Sequence, residues 1–212
     1  MKAVDDATPS ETLVVALVAS AGGIEAVSRV LAALPASLPA AVIVLIHQSP
    51  EHVSRLADIL RRRCALTVVD AVDGAPLLPG QVVVVPSGHH LLVGAGGRIV
   101  LIMSGAFPPS RPSADLLLAT LATAVGPRAV AVILSGGGHD GATGATAVHA
   151  LGGTVFATDA ASSSTYAMPL AAIERDAAVD RILPLDEVAT ALADLVRAGD
   201  GRRAPLRATR ET

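Results

Sequence analysis

Short apolar runs rich in Val, Ile, Leu and Ala alternate along the chain with segments of helical pattern. Most of these runs are apolar throughout, which is typical of strands that helices cover on both faces of a sheet. Alternating strands and helices predict an α/β fold: a doubly wound, mostly parallel sheet flanked by helices on both faces. We predict strands at 13–19, 41–46, 66–69, 81–85, 129–134 and 154–157, helices at 24–33, 53–63, 113–125, 142–151 and 185–198, and one antiparallel hairpin pairing 91–93 with 99–102.

The pattern predicts one domain, residues 13–198. A flexible segment, 1–12, precedes it, and a disordered tail, 199–212, rich in Gly, Arg, Ala and Pro, follows it. The apolar runs are strand-sized, far below the ~20 residues that cross a bilayer. The first residues carry acidic side chains and no apolar stretch, so they do not resemble a signal peptide. We expect a cytoplasmic protein without membrane insertion.

Composition narrows the function classes further. The net charge of −3 and an aromatic content of 1% argue against nucleic-acid binding by a basic surface or by base stacking. The single cysteine, Cys64, excludes an internal disulfide. The three arginines before it would lower the pKa of a reactive thiol, but a small residue at the end of a helix is the more common role.

Polar residues directly follow several predicted strands, where an open α/β sheet places its ligand site. Ser20 lies on a strand-to-helix turn with Gly22, which permits a tight bend beside a helix N-terminus. Such a turn suits a serine nucleophile with an oxyanion site, and equally a phosphate. The chain lacks the G-x-G-x-x-G and G-x-x-x-x-G-K-[ST] fingerprints, so a Rossmann-type nucleotide site is the weaker interpretation.

The turn SGGGHDGA, residues 135–142, is the most unusual stretch of the chain. The N–H groups of Gly136, Gly137 and Gly138 would form a nest for an anion or oxyanion. Asp140 either orients a histidine or caps the helix that begins near Ala142, and both roles are compatible. The six histidines show no metal-ligand spacing, so we expect no metal and no cofactor.

Seven segments in order resemble the methylesterase domain of the CheB family of chemotaxis protein-glutamate methylesterases. The resemblance runs from about residue 13 to 195. The segments are LVASAGG (17–23), HQS (47–49), PSGHHLLV (86–93), RPSADLL (111–117), SGGGHDGATG (135–144), MPLAAI (168–173) and VDRILPL (179–185).

The resemblance implies that Ser20 is the nucleophile, His47 the general base and acid, and Asp140 the carboxylate that orients His47. It also implies demethylation of glutamate γ-methyl esters on chemoreceptors or related signalling proteins, and deamidation of certain receptor glutamines. Oxyanion and substrate contacts are expected from the turn residues Ala21, Gly22, Gly136, Gly137 and Gly138.

Three departures from the family pattern lie near this site: Ala21 for Thr, Gly137 for Met, and Gln48-Ser49 for Met-Pro. The alternative to an enzyme is therefore a catalytically weak binding module in a chemosensory complex. The family's phospho-receiver domain has no counterpart in the twelve residues before the first strand. From this we expect a stand-alone esterase domain, open or controlled by a separate regulatory protein.

Overall fold

A computed structural model describes residues 12–51, 54–105 and 110–199. The predicted flexible segment and tail lie outside the described residues, apart from Thr12 and Gly199. The strands are β1 (Leu13–Ala19), β2 (Ala40–Ile46), β3 (Thr67–Asp70), β4 (Gln81–Val84), β5 (His89–Gly94), β6 (Arg98–Met103), β7 (Ala129–Ile133), β8 (Thr154–Thr158) and β9 (Arg181–Leu183). The α-helices are α1 (Gly23–Ala33), α2 (Leu56–Arg61), α3 (Ala114–Val125), α4 (Ala142–Ala150), α5 (Ala167–Ile173) and α6 (Leu185–Gly199).

Seven strands form one sheet in the order β3-β4-β2-β1-β7-β8-β9. Every pairing in this sheet is parallel. The remaining two strands, β5 and β6, form a separate antiparallel hairpin. The predicted fold class, a doubly wound parallel sheet with one hairpin, is confirmed.

Two apolar cores cover the two faces of the sheet. Along β1, Val15 and Leu17 belong to one core, whereas Val14 and Ala16 belong to the other. The first core contains residues of α1, α2 and α6, and the second contains residues of α3, α4, α5 and the hairpin. This is why the strands are apolar on both faces.

Two elements were not predicted from the pattern: α5 and β9. Both are short, and α5 carries Pro169 in its first turn, where a helix tolerates a missing N–H. β9 has three residues, of which only Leu183 is buried, so it lacks an apolar run. The helix predicted at 53–63 is shorter, Leu56–Arg61, and its predicted first residue lies outside the described residues. Among the described helices, none is both long and apolar enough to span a bilayer.

Candidate active site

The strand order reverses at β1, because β2 lies on one side of it and β7 on the other. At such a switch point the connections leave toward opposite faces of the sheet and open a crevice at the carboxyl ends of the strands. Ser20 directly follows β1, His47 directly follows β2, and Asp140 lies between β7 and α4. The three residues predicted as a triad therefore belong to connections that meet at this crevice.

Ser20 begins a tight turn that leads into α1. The Gly23 N–H donates to the Ser20 carbonyl at 2.8 Å, and Gly22 has φ 76° and ψ −1°. These values define a type II turn with glycine at its third position, where a positive φ is required. The Ser20 N–H donates to the Ser135 carbonyl at 2.9 Å, which ties the turn to the end of β7.

His47 is held by its backbone and by one ring nitrogen. Its N–H donates to the Ala19 carbonyl at 3.1 Å, and its Nε2 lies 2.8 Å from Asp140 Oδ2. The His47 side chain is 15% exposed and the Asp140 side chain 8%. Because an ionised carboxylate only accepts, Nε2 carries the proton of this bond and Nδ1 carries the lone pair.

The Asp140 carboxylate accepts four hydrogen bonds. Oδ2 accepts from His47 Nε2 and from the Ala114 N–H at 2.7 Å, and Oδ1 accepts from the Asp115 N–H at 3.0 Å and the Ser113 hydroxyl at 3.2 Å. Burial alone would raise its pKa, but the hydrogen bonds from His47 and from the two backbone N–H groups hold the pKa below its ordinary value. Asp140 is therefore an ionised group aimed at His47.

The helix that Asp140 caps is α3, not α4. The interpretation of Asp140 as the cap of the helix near Ala142 is wrong, because that helix begins after Gly141 without a side-chain cap from its N-cap residue. Its N-terminal N–H groups, those of Gly141 and Gly144, donate instead to Asp115 Oδ1 at 2.9 and 2.8 Å. The two helices thus exchange aspartates: each aspartate adjoins the start of one helix and caps the other.

A buried histidine, His90, also contacts the start of α3. The sequence did not predict this contact. The His90 Nδ1 accepts from the Ser113 N–H at 2.9 Å, and its Nε2 lies 3.3 Å from the Ser104 carbonyl. Ser113 is the N-cap of α3, and its hydroxyl accepts from the Leu116 N–H. Since both nitrogens of His90 have partners, we assign it to support of the α3 N-terminus rather than to proton transfer.

Ser20 and His47 line one open cleft of about 440 Å³. Its wall includes Gly22 and apolar side chains of α1, β2 and α2, with Glu25 and Arg63 at one side. These two form an exposed ion pair at 3.2 Å. The cleft is open enough to admit a side chain presented by another protein.

The predicted oxyanion donors divide into two groups. The Gly136 N–H donates to the Thr165 carbonyl at 2.8 Å, so its assignment as an oxyanion donor is wrong. Its backbone instead packs closely against Ser20 and Met168, since a Cβ added at Gly136 would lie 3.0 Å from Ser20 Cβ and 2.2 Å from Met168 Sδ. Within the described part of the chain, the N–H groups of the other four, Ala21, Gly22, Gly137 and Gly138, donate to no acceptor.

The positions that depart from the family pattern adjoin the cleft without obstructing it. Ala21 is exposed, and a Cβ added at Gly137 would meet nothing within 4 Å. The Gln48 side chain binds back to its own loop, accepting from the Ser54 hydroxyl at 2.5 Å. Relative to the family pattern, Ala21 and Gly137 therefore carry a smaller side chain or none, and the Gln48 side chain is held by its own loop.

Other chemically active side chains lie apart from the cleft. His149 faces Asp180 at 3.6 Å, and across the described residues no group of three or more His, Cys, Asp or Glu side chains is placed to hold a metal ion. Burial raises the pKa of the Cys64 thiol, so the arginines before it do not make it a thiolate. Neither residue extends the candidate site.

A serine hydroxyl, an imidazole and a buried carboxylate at one edge of a sheet are the side-chain set that serine hydrolases use. The family comparison narrows that class: the family model described as CheB methylesterase matches residues 15–192. The chain belongs to the CheB methylesterase family.

Named relatives and one solved structure agree with this. The chain is 38% identical over 206 residues to protein-glutamate methylesterase/protein-glutamine glutaminase 2 of Cereibacter sphaeroides, covering 95% of this chain and 55% of that protein. It is 40% identical over 182 residues to protein-glutamate methylesterase FrzG of Myxococcus xanthus, covering 86% and 54%. The crystal structure of the Thermotoga maritima CheB methylesterase catalytic domain superposes with a TM-score of 0.81 at 33% identity, covering 87% of this chain and 98% of that one. The chain spans about half the length of these curated relatives.

Proposed function

We propose that this chain is a serine hydrolase that demethylates glutamate γ-methyl esters on chemoreceptors or related signalling proteins. The observation that carries the proposal is the 2.8 Å bond between His47 Nε2 and Asp140 Oδ2, at the cleft that His47 shares with Ser20. The names of the relatives, protein-glutamate methylesterase and protein-glutamine glutaminase, supply the substrate class and add glutamine deamidation.

The chemistry begins with attack of Ser20 Oγ on the ester carbonyl. His47 takes the hydroxyl proton, and the tetrahedral oxyanion collapses with cleavage of the bond to the methoxy group. Methanol leaves with the proton from His47, and a glutamyl ester of Ser20 remains. Water, deprotonated by His47, then attacks this ester, and its cleavage releases the glutamate side chain and restores Ser20. For glutamine, ammonia leaves in place of methanol.

The imidazole acts through Nδ1 in this scheme, because Nε2 is committed to Asp140. In the serine-protease template the two nitrogens have the opposite assignment, with Nδ1 on the carboxylate. The ionised Asp140 stabilises the imidazolium that forms when Nδ1 takes the proton. The free N–H groups of Ala21, Gly22, Gly137 and Gly138 are the oxyanion donors of the proposal, and such donors contribute about 3 kcal/mol each.

We place the reaction in the cytoplasm, with a methylated receptor as substrate. The second candidate, a catalytically weak binding module, is favoured by one observation: the cleft mouth lacks the side chains that the family pattern has at Ala21 and Gly137. Loss of side chains that position a substrate lowers the catalytic rate more readily than it abolishes binding of that substrate.

The test is methanol release from a methylated chemoreceptor cytoplasmic fragment by wild type, Ser20→Ala and Ser28→Ala. Ser28 is the matched control, because it is a buried serine of α1 whose hydroxyl has no hydrogen-bond partner among the residues that the structure describes. We expect release by wild type and Ser28→Ala and none by Ser20→Ala. Binding of the fragment by all three without release by any would establish the binding module instead.

A further inference from the structure

The Ser135 hydroxyl joins three segments around the nucleophile. It is 2% exposed, it accepts from the Thr165 N–H at 2.9 Å, and it donates to the Ala21 carbonyl at 2.8 Å, which is nearer than the Thr165 carbonyl at 3.3 Å. The Ser135 carbonyl also accepts from the Ser20 N–H. One residue therefore connects the nucleophile turn to the end of β7 and to the loop between β8 and α5.

The bond to the Ala21 carbonyl acts on the most adjustable part of the nucleophile turn. Type I and type II turns differ by rotation of the central peptide, with ψ of the second residue and φ of the third changing by roughly 150–170°. In this turn the central peptide joins Ala21 to Gly22, and glycine permits either orientation. The Ser135 hydroxyl binds the carbonyl of that peptide and so selects the type II orientation.

The orientation of this peptide also fixes its N–H. The carbonyl and N–H of a planar trans peptide point in opposite directions, so the Gly22 N–H points away from Ser135. Gly22 lines the cleft beside Ser20, and its N–H has no acceptor among the described residues. A flip of the peptide would put a carbonyl oxygen where the N–H is now, and that oxygen would repel a developing oxyanion.

We propose that Ser135 is a positioning residue of the esterase reaction: its hydroxyl holds the Ala21–Gly22 peptide so that the Gly22 N–H faces the oxyanion formed on Ser20. This inference rests on the proposed function. Ser135 does not touch the substrate and transfers no proton. Its contribution appears only when negative charge develops on the carbonyl oxygen, so it belongs to kcat rather than to KM.

The experiment compares Ser135→Ala, Ser135→Thr and Ser28→Ala with wild type in methanol release from the methylated receptor fragment. Each protein is assayed well below its own melting temperature. We expect Ser135→Ala to lower kcat on the order of 10- to 100-fold, less than the loss of a whole oxyanion donor, with KM within about threefold. Ser135→Thr keeps the hydroxyl and is expected to restore most of kcat.

The outcomes distinguish failure of the esterase function from failure of the positioning role. If wild type releases no methanol, the proposed function fails first. If wild type is active and folded Ser135→Ala has the same kcat, the positioning role is refuted while the esterase stands. The positioning role is also refuted if Ser135→Ala changes KM instead of kcat. It is refuted as well if Ser28→Ala lowers kcat as much as Ser135→Ala does, because loss of any buried hydroxyl would then have the same effect.

Discussion

Replacing Asp140 by Asn tests whether this carboxylate serves catalysis and folding together. All four of its partners donate, so the amide nitrogen of Asn must face donors on one side. On the Oδ2 side the Ala114 N–H is a fixed donor, whereas Nε2 of a neutral His47 can accept if the ring proton moves to Nδ1. On the Oδ1 side the Ser113 hydroxyl can rotate to accept, and only the Asp115 N–H loses its partner. Either orientation of Asn therefore leaves one buried backbone N–H without an acceptor, and the orientation with its nitrogen toward His47 also holds the imidazole in the wrong tautomer.

The magnitudes follow from that geometry. One buried N–H without an acceptor and the loss of charge from the remaining bonds cost about 2 kcal/mol of unfolding free energy. For a chain of this size that lowers the melting temperature by about 4–8 °C. The imidazolium loses its counter-charge, and in the serine-protease template the same substitution lowers kcat by about 10⁴-fold. We expect a loss of about 10²–10⁴-fold, since Asn removes the counter-charge and, with its nitrogen toward His47, favours the wrong tautomer.

The assay pairs methanol release with thermal unfolding of wild type, Asp140→Asn and His47→Ala at neutral pH. His47→Ala removes one of four donors to Asp140 and leaves the helix cap intact. We therefore expect it to be inactive yet to melt within about 2 °C of wild type, as for a change of under 1 kcal/mol. Equal melting temperatures of Asp140→Asn and wild type would refute the assigned capping role.

Asp115→Asn keeps the Oδ1 acceptor for the N–H groups of Gly141 and Gly144, so it should melt near wild type. Asp115→Ala should lose about 2–4 kcal/mol of unfolding free energy in urea and have a lower kcat. Equal effects of the two variants would contradict the role of Asp115 as the cap of α4. The folded-state pKa of Asp140 lies below its unfolded value of about 3.9, so its ionised form stabilises the fold above about pH 4 and this stabilisation is lost as the pH falls further. The difference in unfolding free energy between wild type and Asp140→Asn should therefore shrink in unfolding curves measured at acid pH. Gly136→Ala should cost about 1–3 kcal/mol through contact with Met168, while Gly137→Ala should leave stability within about 0.5 kcal/mol. Ellman's reagent should modify Cys64 more slowly than a free thiol, because burial raises its pKa.

The sheet could be predicted from the sequence because its strands are apolar on both faces, and the predicted strands up to β8 lie within a residue or two of their bounds. β9 and α5 could not, since neither carries a periodic apolar pattern long enough to register. Strand ends indicated Ser20, His47 and Asp140 as candidates, but the resemblance to a family, not the spacing, selected those three.

The parts of the site that escaped prediction are contacts between segments distant in sequence. Asp115 and Asp140 each obey the ordinary rule for aspartate at a helix start, yet each serves the other's helix, and no local pattern distinguishes the two cases. The same holds for Gly136, whose N–H looked free in the glycine turn but binds the carbonyl of Thr165. Local composition shows which groups need partners, while the fold decides which partners they receive.

Because Asp140 and Asp115 each cap the other's helix, the presence of Asp140 in a relative of this protein would not by itself indicate esterase activity. A descendant that had lost esterase activity would have little physical reason to keep the Ser20 hydroxyl or the His47 imidazole. It would still need the carboxylate of Asp140 to cap the N-terminus of α3, and that of Asp115 to cap the N-terminus of α4. Selection for folding alone therefore preserves Asp140. Under the proposed function, retention of Asp140 alone would therefore reflect the architecture, whereas loss of Ser20 or His47 would indicate loss of the esterase reaction.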